Sequence, residues 1–152
     1  VRGNIDFERG LSDEQIARAA EYAQASGFIG EHGGMDAELT ARGSNFSGGQ
    51  KQRLLIARAL AASPEILVLD DSSSALDYKT DARLRKTLFE NMPETTVVLI
   101  AQRISSVRFA DHILVLDGGR MVGFGTDAEL MQRCEEYRRI YDSQHGGGEE
   151  NA

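Results

Sequence analysis

Tryptophan is missing from this chain, proline occurs twice and cysteine once among 152 residues. The lone Cys134 excludes an intrachain disulfide, which fits a reducing compartment. No apolar run approaches the roughly 20 residues that span a bilayer, so any membrane segment is expected to lie outside this sequence. Nor does it carry the pattern of a secretory signal. Basic residues are outnumbered, 17 Lys and Arg against 24 Asp and Glu, and the formal charge is −7. That balance argues against nonspecific nucleic-acid binding, which rests on a basic surface neutralising phosphates. Finally, no Gly-x-x-x-x-Gly-Lys-Ser/Thr run occurs, so the loop whose amides and lysine hold nucleotide phosphates is absent.

What is present is an ordinary globular composition, 41% hydrophobic and 27% charged, at a length that suits one domain. The front is helical. Ser12-Asp13-Glu14-Gln15 reads as a capping box, after which Ile16, Ala19, Ala20 and Ala23 recur on one face. Gly27 is expected to end that helix in the left-handed conformation, with Phe28 and Ile29 packing beneath it and residues 30–42 forming a loop. A second helix is expected from about Gly49 to Ala62, with Leu54, Ile56, Ala57, Leu60 and Ala61 facing the core and Pro64 preventing its continuation.

The back alternates. Ile66 to Leu69 and Thr96 to Ile100 are continuous apolar or β-branched runs, the mark of strands covered on both faces, and a helical pattern from about Tyr78 to Asn91 lies between them. That is a βαβ unit. His112 to Leu116, the Gly118-Gly119 turn and Arg120 to Phe124 form a hairpin. Thr126-Asp127-Ala128-Glu129 then caps a last amphipathic helix reaching about Tyr141. His145 to Ala152 has no pattern and is expected to be disordered.

Two motifs carry chemistry. Ser47-Gly48-Gly49-Gln50 opens a strong helix pattern, so free backbone N–H groups and a positive dipole end converge where a phosphate fits. Glycine serves there because a β-carbon would keep the backbone from the phosphate. The run Ile66-Leu67-Val68-Leu69 ends in Asp70-Asp71, carboxylates that suit Mg²⁺ and an attacking water. Ser72-Ser73-Ser74-Ala75-Leu76-Asp77 follows, in which Asp77 can also cap the next helix.

Together these segments resemble the ATP-binding cassette family. Asn45 to Arg53 resembles its signature motif, Ile66 to Asp71 its Walker B strand, Ser74-Ala75-Leu76-Asp77 its D-loop, Ile100-Ala101-Gln102-Arg103 its switch segment, and Gly118 to Leu130 the closing hairpin and helix of an exporter-type nucleotide-binding domain. The likeness spans about Val1 to Tyr141. The fold class it implies is α/β, a partial P-loop NTPase domain with a helical subdomain and its Walker A half absent. The implied layout is a helical subdomain with the signature over residues 1–62, an α/β core part over 63–143 and a disordered tail over 144–152. In the family the phosphate loop, the adenine-stacking aromatic and the Q-loop lie upstream, so the chain is expected to be a C-terminal piece of a longer domain.

The resemblance also implies roles. Ser47, Gly48, Gly49 and Gln50 would contact the γ-phosphate of an ATP held by a second nucleotide-binding domain. Asp70 would hold Mg²⁺ through water, and Ser74, Ala75, Leu76 and Asp77 would touch the partner domain. A transmembrane domain would be the other partner, placing the chain on the cytoplasmic face of the plasma (inner) membrane. No nucleic acid is expected.

Three departures qualify this. The family usually has a glutamate where Asp71 stands, and one methylene less withdraws the carboxylate by roughly 1 to 1.5 Å, enough to cost about 10²-fold in rate. The switch histidine is replaced by Gln102, an amide that donates one hydrogen bond but takes no charge, and none of His32, His112 and His145 stands in for it. Ala41 occupies the glutamate position of the segment before the signature. The first two fall in one catalytic centre and look like the degenerate site of heterodimeric exporters. Two other readings stay open: a nucleotide-free interaction module, and a soluble cassette ATPase acting on ribosomes or DNA. The chain alone is not expected to hydrolyse ATP, and open sheet edges make self-association an expected outcome.

Overall fold

A computed structural model describes residues 1–145. They fall into two compact units, Val1–Ile100 and the residues from Ala101 onward. The first unit therefore takes in both the helical front and the βαβ segment, because the core that fills it runs without interruption from Ile5 through Leu54 and Leu60 to Leu67, Leu69, Leu84 and Leu88.

In the first unit a short helix α1 (Arg2–Asp6), which has no periodic signal in the sequence, lies against the long helix α4 (Gly48–Ala61). Arg58 fixes it, donating from Nε to the Asn4 carbonyl at 2.7 Å with its guanidinium 4.6 Å from the Phe7 ring centre. Helix α2 (Asp13–Tyr22) starts in the expected capping box, Ser12 accepting from the Gln15 amide and Gln15 accepting from that of Ser12. It stops a turn earlier than expected. Gln24, not Gly27, is left-handed at φ 58°, and the Gln24 and Ala25 amides donate back to the Glu21 and Ala20 carbonyls. This is a Schellman end, closed beside the buried side chains of Ala20 and Ala25, so no glycine was needed. Gly27 instead lies inside α3 (Ser26–Glu31), which buries Phe28 and Ile29 and takes Gly30 out of the expected loop. A 3-10 turn (Ala41–Gly43) precedes α4.

Strands β1 (Ile66–Asp70) and β2 (Thr96–Ile100) pair in parallel, Ile66 opposite Thr96 through Asp70 opposite Ile100, joined by α5 (Tyr78–Asn91). The βαβ unit is as expected, but the double covering is not. Leu67 and Leu69 are buried, whereas Ile66, Val68, Val98 and Ile100 are 65%, 57%, 44% and 50% exposed. The helices of this unit cover one face only, and a continuous apolar run cannot reveal which of its two faces the rest of the chain will shelter.

The second unit contains α6 (Ile104–Val107), the antiparallel pair β3 (Ile113–Asp117) and β4 (Arg120–Gly125), α7 (Asp127–Arg133) and α8 (Glu135–His145). Gly118 and Gly119 both take positive φ, 52° and 75°, as a tight two-residue hairpin turn demands. Ile104, Ile113, Val115, Leu130, Cys134 and Tyr137 form its core. The single last helix expected is two, broken at Cys134, whose extended backbone (φ −111°, ψ 111°) turns the chain. The second piece runs past Tyr141 to include Gln144 and His145, which are helical rather than tail; the rest of the expected disordered segment, 146–152, lies outside the described residues.

Candidate functional site

The first turn of α4 is built by its own sequence. Buried Phe46 anchors the approach, Ser47 sits extended at the N-cap, and the Ser47 hydroxyl accepts from the Gln50 amide at 3.3 Å while the Gln50 side-chain carbonyl accepts from the Ser47 amide at 2.8 Å. Ser47 and Gln50 are thus engaged in capping each other. The Ser47 hydroxyl still has a proton to donate, and Gly48 and Gly49 stand in the turn whose amides have no carbonyl one turn back. No acidic residue occupies that turn, so the positive end of the dipole is not neutralised. Ser47 and Gly48 are exposed.

Asp70 and Asp71, both exposed, stand at the end of β1. Asp71 leaves the strand in the left-handed region at φ 45°, which turns the chain sharply and which aspartate tolerates better than most residues. Its amide donates to the Ile100 carbonyl at 2.9 Å, and its carbonyl accepts from the Ser74 amide (3.2 Å), the Ser74 hydroxyl (3.0 Å) and Gln52 Nε2 (3.0 Å). The turn then buries Ser72, Ser73 and Leu76 and ends at Asp77. Asp77 caps α5, its carboxylate accepting from the Thr80 amide at 2.9 Å and the Thr80 hydroxyl at 2.7 Å. Those bonds hold its pKa below the ordinary carboxylate value.

The two motifs meet. A β-carbon on Gly49 would lie 2.7 Å from the Ala75 carbonyl oxygen, so the helix backbone rests directly on the turn that follows the carboxylates. Sequence reasoning assigned Gly49 to phosphate; the close approach to Ala75 is a second reason for glycine there. Gln52 adds a side-chain link to the same turn, through Asp71 and through the Ala75 amide, which donates to its Oε1 at 3.2 Å. The motif includes Gln52, yet sequence reasoning assigned it no role, because its partners come from a segment distant along the chain.

Gln102 belongs to the second unit, where it is exposed. Its carbonyl accepts from Gln144 Nε2 at 2.7 Å, and Gln144 Oε1 accepts from the Ile104 amide at 2.9 Å, so one side chain from α8 pins the segment. The three histidines are all stacked on aromatic rings: His32 on Phe46 (centroids 4.4 Å apart), His112 on Phe124 (5.3 Å) and His145 on Tyr141 (4.0 Å).

Among the described residues no group of three or more His, Cys, Asp or Glu could hold a metal ion by itself. Adjacent carboxylates at a strand end do suit Mg²⁺ that arrives with nucleotide phosphates and keeps most of its waters, since that ion takes only one or two protein carboxylates in such sites. Nor is any described helix long and apolar enough to cross a membrane.

The family model described as ABC transporter matches residues 3–74. An uncharacterized ABC transporter ATP-binding protein of Bacillus subtilis, YknU, is 44% identical over 147 residues, covering 95% of this chain and 25% of that protein. The ATP-dependent lipid A-core flippase of Vibrio vulnificus is 38% identical over 151 residues, covering 97% of this chain and 26% of its own length. The solved structure of a bacterial Atm1-family ABC exporter with ATP bound superposes with a TM-score of 0.88 at 36% identity, covering 94% of this chain and 26% of that one. The chain thus spans about a quarter of the length of the relatives it matches.

Proposed function

We propose, from the premise that this chain belongs to the ABC transporter family as an exporter-type ATP-binding segment, that it works as half of two composite ATP sites. Ser47, Gly48, Gly49 and Gln50 complete a site whose phosphate loop belongs to a second nucleotide-binding domain. Asp70, Asp71 and Gln102 serve this protein's own site, where Asp70 would hold Mg²⁺ through water and that ion would neutralise phosphate charge. Ser74 to Asp77 meet the partner domain. Residues 1–62 act as the helical subdomain that faces a transmembrane domain on the cytoplasmic side, and 63–143 as the α/β part.

The observation that carries this reading is the first turn of α4, free of acidic residues and pressed through Gly49 onto the turn that leaves Asp70 and Asp71. Such an arrangement gives one chain a phosphate-facing end and a carboxylate end side by side. The short Asp71 and the uncharged Gln102 favour slow hydrolysis at the protein's own site, and hence a heterodimer in which the competent site is the one the signature completes. In that assembly ATP binding closes the domain pair and hydrolysis reopens it, driving transport.

Calorimetry with Mg-ATP tests it, on this chain and on the full-length parent protein. The chain alone is expected to give no binding heat, because no phosphate loop occurs in it. The parent is expected to bind, and Asp71→Glu with Gln102→His to raise its hydrolysis by up to about 10²-fold once the partner is supplied. Stoichiometric binding by the 152 residues would place the phosphate site elsewhere. No binding by either would favour a nucleotide-free module.

A further inference from the structure

We infer that Gln52 is a positioning residue, whose side-chain amide clamps the turn after β1 to the first turns of α4 so that Asp70–Asp71 and the Ser47–Gln50 end move as one body. The consequence for catalysis rests on the composite-site reading; the clamp itself does not.

Two bonds make it. Gln52 Nε2 donates to the Asp71 carbonyl at 3.0 Å, and the Ala75 amide donates to Gln52 Oε1 at 3.2 Å. Donor and acceptor sit on one planar end, a combination that among side chains of this length only glutamine supplies without charge. The two contacts fall at opposite ends of the turn, so the amide spans it as a brace.

The turn needs one. Asp71 holds a left-handed backbone, which persists in a residue with a β-carbon only where its surroundings over-determine it. Its remaining bonds to residues 72–76 are local, from the Ser74 amide and hydroxyl. Gly49 brings the helix backbone to the Ala75 carbonyl, and the contact continues to Leu76, whose Cδ2 would lie 3.6 Å from a Gly49 β-carbon. Gln52 is half-buried at the margin of that contact, its two hydrogen bonds lying on the exposed side of it. One turn of helix therefore combines Gly49, which permits the close approach, with Gln52, which locks it.

If α4 serves a phosphate of one site and the carboxylates serve the other, this clamp joins the two sites within a single chain. A shift of the helix end would drag the Asp71 carbonyl, and with it the carboxylate that must orient water.

The test uses the full-length parent protein with its partner. Hydrogen exchange over residues 71–77, without nucleotide, reads the clamp; steady-state hydrolysis reads its effect. Gln52→Ala is expected to speed exchange at the Ala75 amide about fivefold while α4 keeps its protection. With the partner's competent site inactivated, so that hydrolysis reports the site of Asp71, it should lower kcat about tenfold and leave the KM for ATP within about twofold. Gln52→Glu keeps an acceptor for Ala75 and loses the donor to Asp71, so it should restore Ala75 protection without restoring kcat. Unchanged exchange at Ala75, or an equal rise along α4, would overturn the clamp. Faster exchange with unaltered kcat would overturn the positioning role. A wild-type parent that neither binds nor hydrolyses ATP would instead sink the site reading, with the exchange result still deciding the clamp.

Discussion

At Gly49 the backbone of α4 comes so near Ala75 that a single methyl group decides the packing. Gly49→Ala places a β-carbon 2.7 Å from a carbonyl oxygen, where backbone must give way, whereas Gly48→Ala meets only the Ala75 β-carbon at 3.9 Å, an ordinary contact. Urea unfolding should therefore show Gly49→Ala destabilised by about 1 to 3 kcal/mol and Gly48→Ala changed by less than about 1, since alanine also favours the helix. Equal effects at both positions would mean that the turn yields freely. Much at this scale was legible in advance. Ser47 announced a helix start, Asp77 announced a cap, and the short Asp71 and uncharged Gln102 stood out because a side chain's reach and charge need no structure to be known; that Gln50 closes a capping box with Ser47 was not read in advance. What was not legible was Gln52, whose partners Asp71 and Ala75 become neighbours only on folding.

At the scale of elements, capping explains where α2, α4, α5 and α7 begin and an unforeseen motif explains where α2 ends. Asp77 opens α5, and Glu129 helps open α7 by accepting from the Thr126 amide at 2.9 Å and hydroxyl at 3.1 Å. These bonds favour the ionised carboxylates, so both pKa values lie below their ordinary 3.8 and 4.5. The sign follows from linkage: a carboxyl depressed in the folded state adds its stability in full above the ordinary value, and loses it as pH falls through the folded one. Helix content read by circular dichroism should thus hold above the ordinary carboxylate values and decline as pH falls below them, with the Thr80 and Thr126 amide resonances shifting over the same range. Asp77→Asn, which still caps, should remove the pH dependence at Thr80 alone. A Thr80 shift that titrates unchanged in that variant would assign the effect elsewhere. The end of α2 was misread because a Schellman closure can be reached by Gln24 when its neighbours Ala20 and Ala25 are buried beside it, a tertiary circumstance that composition hides. The break at Cys134 was hidden likewise, since the amphipathic pattern continues across it.

At the scale of the whole molecule, the paired strands leave Ile66, Val68, Val98 and Ile100 on an uncovered apolar face, and among the described residues both β1 and β2 have a free edge because their sheet has only these two strands. The chain by itself is expected to associate with further copies of itself, its sedimentation coefficient rising with concentration. Val68→Lys with Val98→Glu, opposite charges on register partners, should suppress that rise without disturbing the buried Leu67 and Leu69. A monomer at every concentration would dispose of the expectation. Local sequence was enough to place α2, α4, α5 and the four strands, the caps at Ser12, Asp77 and Thr126, and a helix start at Ser47 followed by a pair of carboxylates, because each of these follows from periodicity and side-chain chemistry within a few residues. Which face of the sheet is sheltered, how α2 ends and α7 gives way to α8, and that Gly49 and Gln52 tie α4 to the turn after Asp71 emerge on folding alone. Those outcomes depend on contacts between residues far apart in the chain, and a linear pattern constrains such contacts too weakly to choose among them.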